Sequence, residues 1–129
     1  MSFIFKPNAA AGGAPLPPYF PDQVITDQQL NDITLESAET IVYVHGTEPS
    51  VFLNVQAPVI PGSRLVVVMA ADAQVYIGIS DGTQFEYTGS TGNQLQLLTK
   101  GVVEILFFEV PFMAPMAFVT NNSGTVQLA

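Results

Sequence analysis

The chain has no cysteine and no tryptophan, one histidine (His45) and only three cations, Lys6, Arg64 and Lys100. Without cysteine there is neither a disulfide framework nor a thiolate metal site. A lone histidine makes a poor transition-metal centre. Three cations cannot neutralise a phosphate backbone, which speaks against nucleic acid as a partner; an anionic membrane surface is disfavoured on the same ground. No apolar run reaches the length of a membrane span. The opening "MSFIFKPNAAAGGAP" holds no apolar run of signal-peptide length, so a soluble protein made in the cytoplasm is expected.

Charge of either sign is scarce. Charged residues make up 11% of the sequence, against roughly 25% in ordinary soluble domains. Eleven acids leave a formal charge of −8, while 48% of the residues are hydrophobic. With 129 residues there is room for one domain and one core. A domain this small exposes much of its surface, and that surface normally needs charge to stay monodisperse. The composition therefore points to surface covered by copies of the chain or by a partner.

What is present divides at about residue 23. "PNAAAGGAPLPPYFP", from Pro7 to Pro21, carries five of the ten prolines and no charge. Proline fixes its backbone and removes amide donors, and Gly12-Gly13 add a swivel. Residues 1–23 are expected to form an extended N-terminal arm that gains order only on docking. Its anchors would be Phe3, Phe5, Leu16, Tyr19 and Phe20, with residues 24–129 as the folded domain.

"TDQQLND" after it starts with Thr26 and Gln29 at capping-box spacing and predicts one helical turn. Beyond Ile33 the sequence reads as short strands between turns: "IVYV" (41–44), "VFLNV" (51–55), "RLVVVMA" (64–70), "VYIGI" (75–79), "QFEY" (84–87), "QLQLL" (94–98), "VVEILFFEV" (102–110), "PFMAPMAFVT" (111–120) and "TVQL" (125–128). "RLVVVMA" reads as buried on both sides. Asp81-Gly82 reads as a hairpin turn, and Thr88 to Asn93 as a loop. Eight to ten closely spaced strands predict an all-β, antiparallel β-sandwich of jelly-roll type. Pro111 and Pro115 cannot donate to a ladder, which assigns their segment to an edge or bulged corner. Phe112, Met113, Met116 and Phe118 are then candidates for a subunit interface, with core packing the ordinary alternative.

Catalytic signals are poor. "GISDG" (78–82) matches G-x-S-x-G with Ser80 in the nucleophile position, but "TQFEYTG" after it reads as strand, and the only histidine lies upstream. Asp72, Asp81, Glu86, Glu104 and Glu109 read as solvated acids rather than a convergent pair. "AADAQ" and "SDGT" resemble calcium loops without any EF-hand spacing. "NNS" (121–123) is a formal glycosylation sequon, idle without a secretory signal. No enzyme, cofactor or metal is expected.

The succession Ile33-Thr34-Leu35, Val42-Tyr43-Val44, Val51-Phe52-Leu53, Pro61-Gly62-Ser63-Arg64-Leu65 and Val75-Tyr76-Ile77 leading to Asp81-Gly82 resembles the small β-domains of tailed-phage virion proteins. These occur in head decoration (cement) proteins and in head or tail fibres. The likeness spans about residues 33 to 110. It departs at the end, where such domains often carry a tryptophan-bearing strand and this chain has "FEVPFMAPMAFV". The resemblance implies a structural virion protein on the capsid surface, homo-oligomeric, trimeric before dimeric, with the major capsid protein as partner. The alternative it implies is a carbohydrate-binding or adaptor domain of a fibre, using Tyr76 or Tyr87 beside polar loops.

Overall fold

A computed structural model describes residues 21–26, 28–35, 38–46, 48–70, 73–109 and 111–129. The arm residues 1–20, with Phe3, Phe5, Leu16, Tyr19 and Phe20, lie outside them. The described residues form twelve strands in two packed sheets: β1 (Gln23–Ile25), β2 (Leu30–Ile33), β3 (Glu39–Val44), β4 (Ser50–Val55), β5 (Arg64–Met69), β6 (Gln74–Ile79), β7 (Gln84–Tyr87), β8 (Ser90–Gly92), β9 (Gln94–Leu97), β10 (Gly101–Phe108), β11 (Met116–Asn122) and β12 (Val126–Leu128). The seven-stranded sheet runs β1-β3-β5-β10-β11-β7-β8, and the five-stranded sheet runs β12-β9-β6-β4-β2.

Strict alternation builds the core. Val51, Leu53 and Val55 of β4, and Val75, Ile77 and Ile79 of β6, point inward from the smaller sheet. Val103, Ile105 and Phe107 of β10 and Leu65, Val67 and Met69 of β5 meet them from the larger one. Phe85 and Phe107 are the largest fully buried side chains. Val66 of β5 is buried on the outer side as well, flanked in register by Ile41 and Glu104. Two-sided burial, expected of the whole run, holds at Val66, between β3 and β10; Arg64 and Val68 on the same outer face are half-buried.

The sandwich is as expected, but its sheets are mixed rather than antiparallel throughout. From β1 to β6 the chain crosses between the sheets at every step. It thereby winds β1, β3 and β5 into one parallel set and β2, β4 and β6 into another. Parallel neighbours need a long crossover; here each crossover is a strand of the opposite sheet. Asp81-Gly82 does form a turn, with Gly82 N–H donating to Ile79 C=O at 3.0 Å and φ of +81° at the glycine. It is not a hairpin, because β6 and β7 belong to different sheets.

Three other expectations change. No helical turn forms at residues 28–33; Leu30–Ile33 pairs in parallel with β4, since alternation of Asn31 and Ile33 inward outweighs a single capping signal. Between Thr88 and Asn93 a hairpin forms, Tyr87 pairing with Ser90 across Thr88-Gly89. Both turn residues have positive φ, +51° and +84°, the geometry of a type I′ turn. The sandwich also reaches back past Val24, for Asp22 N–H donates to Ile41 C=O at 2.8 Å and Gln23 lies opposite Val42.

Candidate interaction surfaces

The β10–β11 connection is the first. Pro111 and Pro115 sit in the connection itself, so β11 starts only at Met116 and is an interior strand between β10 and β7, not an edge. Phe112 is fully solvent-exposed at 107%, and Met113 is 68% exposed. Phe112 also has φ of +68°, a left-handed conformation that costs a non-glycine residue about 1–2 kcal/mol. Phe108, the last residue of β10, is exposed as well and meets the half-buried Phe118 edge-on, ring centroids 5.9 Å apart. In register, Leu106 lies opposite Phe118 and Phe108 opposite Met116. An apolar strip thus climbs the outer face of the larger sheet and ends in the tip. Of the four interface candidates, Phe112 and Met113 form that tip, while Met116 and Phe118 are half-buried on the strip. Phe108 went unnoticed in the sequence because "LFFEV" alternates like any core strand; Phe107 is core and Phe108 is not.

Lower on the same face lies a buried acid. Glu104 is 6% exposed, not solvated as its place on a polar strand face suggested. A β-bulge explains part of this. Glu104 pairs with Asn121 and Ile105 with Val119, leaving Thr120 as the extra residue. The Thr120 hydroxyl donates to Glu104 Oε1 at 3.0 Å, and Arg64 Nε stands 3.7 Å from the same oxygen. Glu104 Oε2 is buried with no hydrogen-bond partner among the described residues. Nothing local in the sequence announces the bulge.

The outer face of the smaller sheet has a different chemistry. Leu30, Phe52, Tyr76, Gln96 and Gln127 stand in one row across five strands. Phe52 and Tyr76 stack, centroids 4.9 Å apart and planes 20° apart. The neighbouring row is Asp32, Asn54, Gly78 and Gln94. Amides link up here: Gln127 Nε2 donates to Gln96 Oε1 at 2.6 Å, and Gln96 Nε2 to Gln94 Oε1 at 2.9 Å. Asn54 Nδ2 and Gln56 Nε2 reach Asp32 Oδ1 at 3.4 and 3.0 Å. Tyr87 belongs to the other sheet, so the two tyrosines do not share a surface.

The catalytic signals come to little geometrically. Ser80 Oγ accepts the Ala57 N–H at 2.8 Å, and the chain after it turns into β7 rather than a helix. His45 is exposed at the end of β3, its ring 6.0 Å from that of Tyr43. Asp81 Oδ1 accepts from the Thr83 hydroxyl at 2.6 Å and the Thr83 N–H at 3.0 Å. These bonds hold its carboxyl below the usual value, the hydroxyl contributing most. Asp72 lies outside the described residues; Glu86 is half-buried and Glu109 exposed. No family model, curated protein or solved structure matches the chain.

Proposed function

We propose that this chain is a structural virion protein of the capsid-decoration kind, without catalysis. It packs against copies of itself, as a trimer before a dimer, and binds the outer surface of a capsid built by the major capsid protein. The observation that carries this reading is Phe112. A fully exposed phenyl ring forgoes about 1.5–3 kcal/mol of burial, and the same residue holds an unfavourable backbone conformation. Both terms oppose the isolated molecule, and burial of the ring in a neighbour offsets them. Met113, Phe108 and the strip beneath extend the contact. The scarcity of charge and the resemblance stated above support the same reading. The arm anchors Phe3, Phe5, Leu16, Tyr19 and Phe20 would add a second, extended contact of the strap type, and repetition around a shell strengthens weak contacts through multivalency.

Phe112→Gly tests this cleanly, because glycine accepts positive φ and removes only the ring. The variant is expected to melt no lower than the parent. Its native mass is expected to fall towards the monomer, and its co-sedimentation with shells lacking this protein to drop at least tenfold. Unchanged mass together with unchanged co-sedimentation would overturn the proposal.

A further inference from the structure

One row of outward side chains on the larger sheet is closed to solvent with no described strand over it. Asp22, just before β1, exchanges hydrogen bonds with Ile41: its N–H donates to Ile41 C=O at 2.8 Å, and its Oδ2 accepts the Ile41 N–H at 2.7 Å. Ile41 lies opposite Val66, and Val66 opposite Glu104. Ile41 is 2% and Val66 0% exposed, as closed as the core, although neither belongs to it. All twelve described strands lie in the two facing sheets. At the end of the row, Arg64 and Thr120 both address Glu104 Oε1, while the buried Oε2 has no partner among the described residues. A buried acceptor left unpaired is costly, so the row calls for a cover that brings a donor.

The chain outside the described residues ends at this row. Residues 1–20 lead into Pro21, and the backbone joins the sheet at Asp22, level with Ile41. From there to Glu104 is three inter-strand spacings, about 14 Å. The residues immediately before are Ala14-Pro15-Leu16-Pro17-Pro18-Tyr19-Phe20-Pro21. Four of them are prolines, and Ala14, Leu16 and Phe20 each precede one, which favours polyproline II geometry through the stretch. At about 3.1 Å per residue, Leu16 to Pro21 then spans about 15 Å, the width of the row. Three residues complete a turn of that helix, so Leu16 and Tyr19 share a side.

We infer that residues 14–20 lie across the outer face of the larger sheet of their own molecule, at right angles to its strands, and cover Ile41, Val66 and Glu104. Leu16 closes the row over Glu104. The ring of Tyr19, laid along the row, covers Val66, and its hydroxyl donates to Glu104 Oε2. A phenol suits an enclosed carboxylate that already has Arg64 beside it, because it donates a hydrogen bond without adding a charge. The prolines hold the segment extended beforehand, which reduces the ordering cost of docking. The segment is uncharged, matching the apolar Ile41 and Val66 beneath it. This docking is intramolecular and does not depend on the capsid reading. Within that reading it narrows the strap, leaving Phe3 and Phe5, beyond the Gly12-Gly13 swivel, to reach a neighbour.

The test is nuclear Overhauser spectroscopy of the full-length protein with labelled isoleucine and valine methyls. Cross-peaks from the Tyr19 ring to methyls of Ile41 or Val66 are expected. In a mixture of labelled and unlabelled chains they are expected to stay within one chain. A double-mutant cycle reads the hydrogen bond: Tyr19→Phe is expected to lower the melting temperature by about 4 °C in the parent, and by about 1 °C or less beside Glu104→Ala. Absent cross-peaks, cross-peaks only between chains, or an equal effect of Tyr19→Phe in both backgrounds would overturn the inference. Phe112→Gly is expected to leave the cross-peaks in place, so a failure of assembly at the tip is distinguishable from a failure of the arm to dock.

Discussion

The two halves of the chain reach the same sandwich by different routes. From β1 to β6 the backbone is a spiral with unbroken parallel registers, and its described positive-φ residues are glycines, Gly46 and Gly62. From β7 to β12 the chain closes the sheets with hairpins and returns. That half contains the bulge at Thr120, the non-glycine left-handed residues Thr88 and Phe112, and the buried Glu104. Local rules are broken where a structure answers to something beyond its own stability. The spiral supplies a regular platform; the closing half supplies the strained apolar tip.

The largest way to break this contrast is at the coil-to-coil contact of the spiral. A Cβ on Gly46 would stand 1.6 Å from the Thr26 carbonyl oxygen, and φ there is +147°. Gly46→Ala is expected to lose about 3 kcal/mol or more of stability, read as a lower urea midpoint at constant m-value. An unshifted midpoint would mean that successive coils are not packed this closely. The two halves join at Arg64 on β5 and Glu104 on β10. Breaking a buried pair costs about 3–5 kcal/mol, but Arg64 is 41% exposed, so Arg64→Ala is expected to cost only about 1–2 kcal/mol. Glu104→Gln, which retains an acceptor for Thr120, should cost less than Glu104→Ala.

The smallest effect is at the crossing between the halves. The folded pKa of Asp81 lies below its ordinary value of 3.8 because Thr83 stabilises the carboxylate. The unfolded chain then takes up this proton first, so the contribution is complete above the unfolded value and fades as pH falls through the lower folded one. In Asp81→Asn the melting temperature is expected to fall slightly less steeply from pH 5 to pH 3 than in the parent. A steeper fall would contradict the assigned hydrogen bonds.

Much of the core was legible because alternation is written residue by residue. The inward faces of β4, β6 and β10 follow directly from Val51-Leu53-Val55, Val75-Ile77-Ile79 and Val103-Ile105-Phe107. The hairpin at Thr88-Gly89 was hidden because threonine is a poor signal for positive φ, whereas Asn or Asp would have announced it. Strand β2 was masked by a capping pattern that its long-range pairing with β4 overrode. Phe112 and Met113 could be singled out from the prolines around them, but the full exposure of Phe112 could not.

By itself the sequence determined an all-β chain, which residues of most strands face inward, and where many turns fall. These depend on the two-residue period of a strand and on local backbone preferences. Only the tertiary structure decided which strand lies beside which and in what direction, and hence that Asp81-Gly82 changes sheets and Glu104 is enclosed. Backbone ladders form between any two extended segments, so partner choice is settled by how the whole set of inward faces closes on one core.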